Sequence, residues 1–169
     1  SSGRLFDLRK KTMTKLIQMD LDEVREYISN SSPESKIYFG ADSERVQVEG
    51  TWWVDYLLCV IVHVDAKHGA KVFGHVERER DYDTKLNRPK QRLMTEVFKI
   101  AELYLKLADC LEDRETSIHL DLNPMPIHGS SCAVSEAVGY IRGVCGMDPV
   151  IKPHSWCASN VADAVKRLC

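Results

Sequence analysis

The chain has 169 residues, 44% hydrophobic and 28% charged, with a formal net charge of −2. That length supports one sizeable core and not comfortably two. No run reaches the roughly 18–20 apolar residues of a membrane span, since the longest, WWVDYLLCVIVHV, is broken by Asp55; the small net charge neither excludes a nucleic-acid partner nor announces one.

Residues 1–19 read as an N-terminal segment. Its leading Ser1–Ser2–Gly3 is set aside as a cloning remnant, and it lacks the apolar stretch of a signal peptide. Residues 20–169 read as a single domain. The six cysteines form no CxxC pair, which favours free thiols in a reducing, cytoplasmic setting. Cys132, Cys145 and Cys157 with His128 or His154 offer zinc-binding atoms, but without the close ligand pairs usual in such sites.

In chain order, DLDEVREYIS predicts a helix, with Asp20 as cap, Glu23 in capping-box position and Leu21, Val24, Tyr27 and Ile28 on one face. KIYFGADS is a strand, QVEGT turns into a long strand over Trp52–Val64, and DAKHGA turns into KVFGHVERER, giving an antiparallel meander. After a polar loop, Pro89 precedes a helix over Lys90–Leu111. A strand over Ser117–Leu122 follows, then a serine-capped helix from about Ser131 to Val144, stopped by Gly146. Gly139 and Gly143 within it suggest close packing on a neighbour. PVIKP reads as a fifth short strand and SWCASNVADAVKRLC as a terminal helix. The order β-β-β-α-β-α-β-α after a leading helix implies an α/β fold, a mixed sheet with helices on both faces.

Three carboxylates do not fit these elements. At 100° per residue, Leu93, Val97, Ile100, Ala101, Tyr104, Leu105, Leu107, Ala108 and Leu111 fill one arc of the Lys90–Leu111 helix, with Leu103 at its margin. Glu96 alone among the charges falls inside that arc. The strands it would face carry Asp42 and Asp121 in apolar runs. Rim snorkelling is the alternative for Glu96, and turn propensity for Asp42 in ADSE and for Asp121 ahead of Pro124. Three converging acids repel one another and require raised pKa values or a cation. Magnesium or manganese, with their preference for carboxylate oxygen, fit that requirement.

FGADS, RLMTEVFK, IHLDLNP, EAVGYIRGVCG and IKPHSWCASNVADAVKR, in that order, resemble the ribonuclease H-like superfamily and, more narrowly, the YkuK-like family of small bacterial and phage proteins. The resemblance implies a five-stranded sheet of order 3-2-1-4-5 with the second strand antiparallel. It also implies a two-ion magnesium or manganese site for phosphodiester hydrolysis of DNA, RNA, hybrid or branched nucleic acid. Its acids correspond to Asp42 on the first strand, Glu96 on the helix, Asp121 on the fourth strand and Asp163 on the last helix. By spacing alone Asp163 shares a polar face with Ser159, Lys166 and Arg167. His154 stands where relatives are expected to carry an acid or small polar residue. Ser43 and Asn123 flank the acids as candidate sugar or water contacts. Lys85, Arg88, Lys90, Arg92 and Lys152 are candidate phosphate contacts, and Arg78 and Arg80 close the third strand. The alternatives are a non-catalytic ribonuclease H-fold module binding nucleic acid or protein, and half of an actin-like ATPase, for which 169 residues supply one of two required domains.

Overall fold

The computed structural model describes residues 19–65, 69–81, 90–125, 131 and 133–157. Helix α1 spans Leu21–Asn30, and Asp20 caps it, its Oδ1 accepting from the N–H groups of Asp22 (2.9 Å) and Glu23 (3.4 Å). Strands β1 (Lys36–Val48), β2 (Thr51–Asp65) and β3 (Gly69–Arg80) form the meander. The β1–β2 turn places Glu49 (φ 50°) and Gly50 (φ 81°) in the left-handed region, as a tight two-residue hairpin requires. Helix α2 (Lys90–Leu111), strand β4 (Glu115–Leu120) and helix α3 (Val134–Cys145) complete the described elements. None of the described helices is long and apolar enough to cross a membrane.

The sheet has four strands in the order β3-β2-β1-β4, antiparallel at β3–β2 and β2–β1 and parallel at β1–β4. The expected fifth strand is reduced to one parallel bridge, His119 with Val150. Its position beside β4 is the expected one: Val150 N–H donates to the Ile118 carbonyl (2.7 Å), and Leu120 N–H to that of Val150 (2.9 Å). The chain turns immediately afterwards, the N–H groups of His154 and Ser155 both donating to the Ile151 carbonyl. Pro149 and Pro153 bring no donors of their own. The segment therefore closes a bridge and not a strand.

Alternation along the strands sorts the two sheet faces. Ile37, Phe39 and Ala41 of β1 and Ile118 and Leu120 of β4 join the helix-side core with Val24, Ile28, Ile100, Leu107, Ala137 and Ile141. Each such side chain contributes about 1.5–3 kcal/mol on burial. The other face carries a smaller cluster of Leu57, Cys59, Ile61 and Cys157, flanked by Tyr38 and Trp156. All three described helices pack on the first face. The expected terminal helix lies, beyond Cys157, outside the described residues, as does Pro89.

Details of the helices differ from the sequence reading. On α2, Leu103 is buried and Leu105 is 53% exposed, the reverse of their expected places. Helix α3 begins after Ala133, which offers no side-chain acceptor, so the serine cap is not formed. Gly146 ends it at φ 70°, as expected. Among the described residues Gly139 and Gly143 do not mark a close approach, since a Cβ at either position would meet none of them within 4 Å.

Candidate functional site

The last paired residues of β1 and β4 are Ala41 and Leu120. Asp42 and Asp121 come next on the two strands, at the point where the ladder ends, on neighbouring backbones roughly 4.8 Å apart in the ladder. Ala41 and Leu120 face the helix-side core, and alternation starts both aspartates on the opposite face, where His119 packs, yet at this open end of the β1–β4 ladder their charges still reach Glu96 on α2. A shallow cleft opens there, lined by Ala41, His119, Leu120, Asp121, Ser155, Trp156 and Cys157. A larger cleft, about 230 Å³, lies away from the acids between α2 and β2–β3 and is lined by Leu58, His75, Glu77, Lys99 and Glu102 among others.

Ser43 is turned the other way, toward α2. Its hydroxyl donates to Glu96 Oε2 at 2.6 Å, while its N–H donates to Asp42 Oδ1 at 2.8 Å. Glu96 is only 5% exposed, a carboxylate inside the apolar stripe of its helix. Burial pushes its carboxyl well above the usual range, and the charge of Asp42 pushes it further. The Ser43 hydrogen bond and the Arg92 guanidinium pull against that rise, and Asp121 adds a smaller upward push. Glu96 thus feels the charge of both Asp42 and Asp121.

The remaining candidates are placed as follows. Lys152 Nζ lies 2.7 Å from Asp121 Oδ1. Lys90 Nζ lies 2.8 Å from Glu136 Oε2 across α2 and α3. Arg92, assigned to the polar arc from spacing, reaches the field of Glu96 one turn along. The Asn123 side chain accepts from Met125 N–H at 2.9 Å and shapes the loop after β4. His154 is exposed in the turn after Ile151. Asp163, Lys85, Arg88, His128, Cys132 and Cys169 lie outside the described residues. Of the cysteines considered for zinc, Cys145 sits in the helix-side core and Cys157 in the cluster across the sheet, with its sulfur 3.5 Å from that of Cys59. The sheet separates those two, so they cannot share an ion.

Three features escaped the sequence reading. His119 is buried and its Nδ1 accepts from Trp156 N–H at 3.1 Å, with burial lowering its pKa and keeping the ring neutral. It pins the chain shortly before Asp163 against β4. Tyr56, opposite Ser43 on β2, hydrogen-bonds Thr95 of α2, and burial first of all pushes its phenol up to about 12. Asp55 is completely buried and takes both donors of Arg78, at 2.6 and 2.8 Å, from the facing position on β3. Arg78 is therefore a structural partner of β2.

Among the described residues no three His, Cys, Asp or Glu side chains are gathered so as to hold a metal ion. Glu96 is held by Ser43 and Asp121 by Lys152. Both partners are displaceable, and the oxygen donors are of the type that magnesium and manganese take. A family model described as Ribonuclease H-like matches residues 20–167. No curated protein and no solved structure matches the chain.

Proposed function

The chain belongs to the ribonuclease H-like family, and from that premise we propose that it is a divalent-metal-dependent nuclease hydrolysing phosphodiester bonds of nucleic acid. The observation that carries this reading is the charge on Glu96. Burial first, and then the charges of Asp42 and Asp121, two acids at the end of the β1–β4 ladder, raise the pKa of its carboxyl. Burying acids together is costly unless a cation accompanies them.

Asp42, Glu96, Asp121 and Asp163 would hold magnesium or manganese in a two-ion site. Bound there, the metal would supply Lewis-acid charge to a phosphoryl oxygen and lower the pKa of an attacking water. The residues of the chain do the positioning. Ser43 orients Glu96, and Arg92 offsets part of its charge. Lys85, Arg88, Lys90, Arg92 and Lys152 would draw the phosphate backbone to this end of the sheet, with Asn123, Ser43 and His154 near the same rim.

A second reading, a non-catalytic module that binds nucleic acid or protein, is favoured by one observation: Asp121 already has an ammonium partner in Lys152. A panel of single strands, duplexes, hybrids and junctions, incubated with magnesium or manganese and with chelator, separates the two. Cleavage that chelator stops supports the nuclease. Retention of a nucleic acid without cleavage supports the module, and neither result on any substrate overturns both as nucleic-acid functions.

A further inference from the structure

We propose that Lys152 is the resident counter-cation of the acid cluster, occupying Asp121 until a divalent ion displaces it. This inference rests on the metal reading above and adds a control element to the same site. Three carboxyl groups gather at the end of the ladder, and Glu96 feels the charge of both Asp42 and Asp121. Lys152 reaches this group from the bridge segment beside β4, its Nζ 2.7 Å from Asp121 Oδ1.

The backbone of Lys152 is fixed and its charge is movable. Its N–H donates to the Leu122 carbonyl at 2.9 Å, which holds its Cα in register with the residue after Asp121. The side chains of Lys152 and Asp121 are 45% and 32% exposed, so water reaches both ends of the pair. A pair so exposed is weak, because solvent screens it and a four-carbon stem loses freedom in making it. A divalent ion carries twice the charge and takes carboxylate oxygen directly, so it wins the contest for Asp121. Lys152 then stands at the rim with three donors released, where a phosphate oxygen can take them.

The carboxylate that would close the group is turned to an ammonium. Loading the site and releasing Lys152 are then one event, and the lysine sets the cation concentration at which it occurs.

Manganese affinity of the full-length chain, read from the electron paramagnetic resonance signal of free Mn²⁺, tests this without any activity assay. Lys152→Met is expected to bind manganese about tenfold more tightly than wild type, the scale of removing one positive charge several ångströms away in a water-accessible setting. Lys152→Arg keeps the charge and is expected to stay within about twofold. Asp121→Asn is expected to weaken binding. Wild-type binding that Lys152→Met leaves unchanged or weakens overturns the role of Lys152 alone. No manganese binding by any of these proteins overturns the metal reading and this inference with it. A second measurement uses only wild type: acylation of the Lys152 amine, followed by mass spectrometry, should rise severalfold when manganese is added. Labelling that manganese leaves unchanged would overturn the displacement.

Discussion

The Ser43 hydroxyl lies 2.6 Å from Glu96 Oε2, joining the far part of β1 to the second turn of α2. This contact gives the buried carboxylate a donor, but it does not neutralise the charge. Burial, Asp42 and Asp121 together leave the Glu96 pKa well above its ordinary value. An unfolded glutamate titrates near about 4.3, so between that value and the folded pKa the folded state binds the extra proton. Stability in chelator is then full below the unfolded pKa and is lost as pH rises through the folded one. Glu96→Gln retains an oxygen that accepts from Ser43. It should be more stable than wild type at pH 8, with the gap closing toward pH 4.5. Chemical denaturation across that range checks this; a variant less stable at pH 8 would contradict it.

Asp42→Asn should lower metal-dependent cleavage by a factor of at least about 10², the scale of losing one electrostatic contribution to the transition state. The helix and strand content should not change, since the substitution leaves the backbone pairing of Asp42 with Leu57 of β2 in place. Initial rates on whichever substrate the wild type cleaves, with circular dichroism beside them, make the comparison.

Asp55 and Arg78 predict a stability effect unrelated to the site. Arg78→Ala would leave a completely buried carboxylate without its two donors. Removing one partner of such a pair costs about 3–5 kcal/mol, or on the order of 10 °C in melting temperature for a chain of this size. Replacing both partners with apolar residues should recover most of the loss. A melting curve unchanged in Arg78→Ala would show that the pair contributes little.

Lys85 and Arg88 differ from Lys90 in what they are expected to do for binding. Lys90 already has Glu136 at 2.8 Å. Changing Lys85 and Arg88 together to alanine should flatten the salt dependence of nucleic-acid binding by roughly one to two units of slope. Lys90→Ala should flatten it less. Binding isotherms at several salt concentrations decide this, and an unchanged slope in the double variant would assign both charges to solvent.

Much of the architecture was legible because local pattern and tertiary burial agree. Lys90–Leu111 was bounded correctly from Pro89 ahead of it and from its hydrophobic period, and Glu96 stood out because one charge broke that period. The meander and the left-handed Gly146 cap followed from turn and cap chemistry, and the parallel β4 from the strand–helix alternation that implies a mixed sheet. Pairings made across strands were not legible. Asp55 meets Arg78, and Lys152 meets Asp121, only through a register or a bridge that no local window contains. Gly139 and Gly143 misled because small residues four apart suit an open face as well as a tight one. The fifth strand was overestimated because PVIKP has strand composition, whereas its pairing stops after Lys152, where the chain turns back on the Ile151 carbonyl.

The central claim is that Asp42, Glu96 and Asp121 share a cation. Anomalous diffraction from crystals soaked in manganese tests it most directly. The account predicts an anomalous peak within about 2.0–2.3 Å of oxygens from both Asp42 and Asp121, with Lys152 moved off Asp121. Crystals that show no peak at this end of the sheet, with Lys152 still on Asp121, would contradict it.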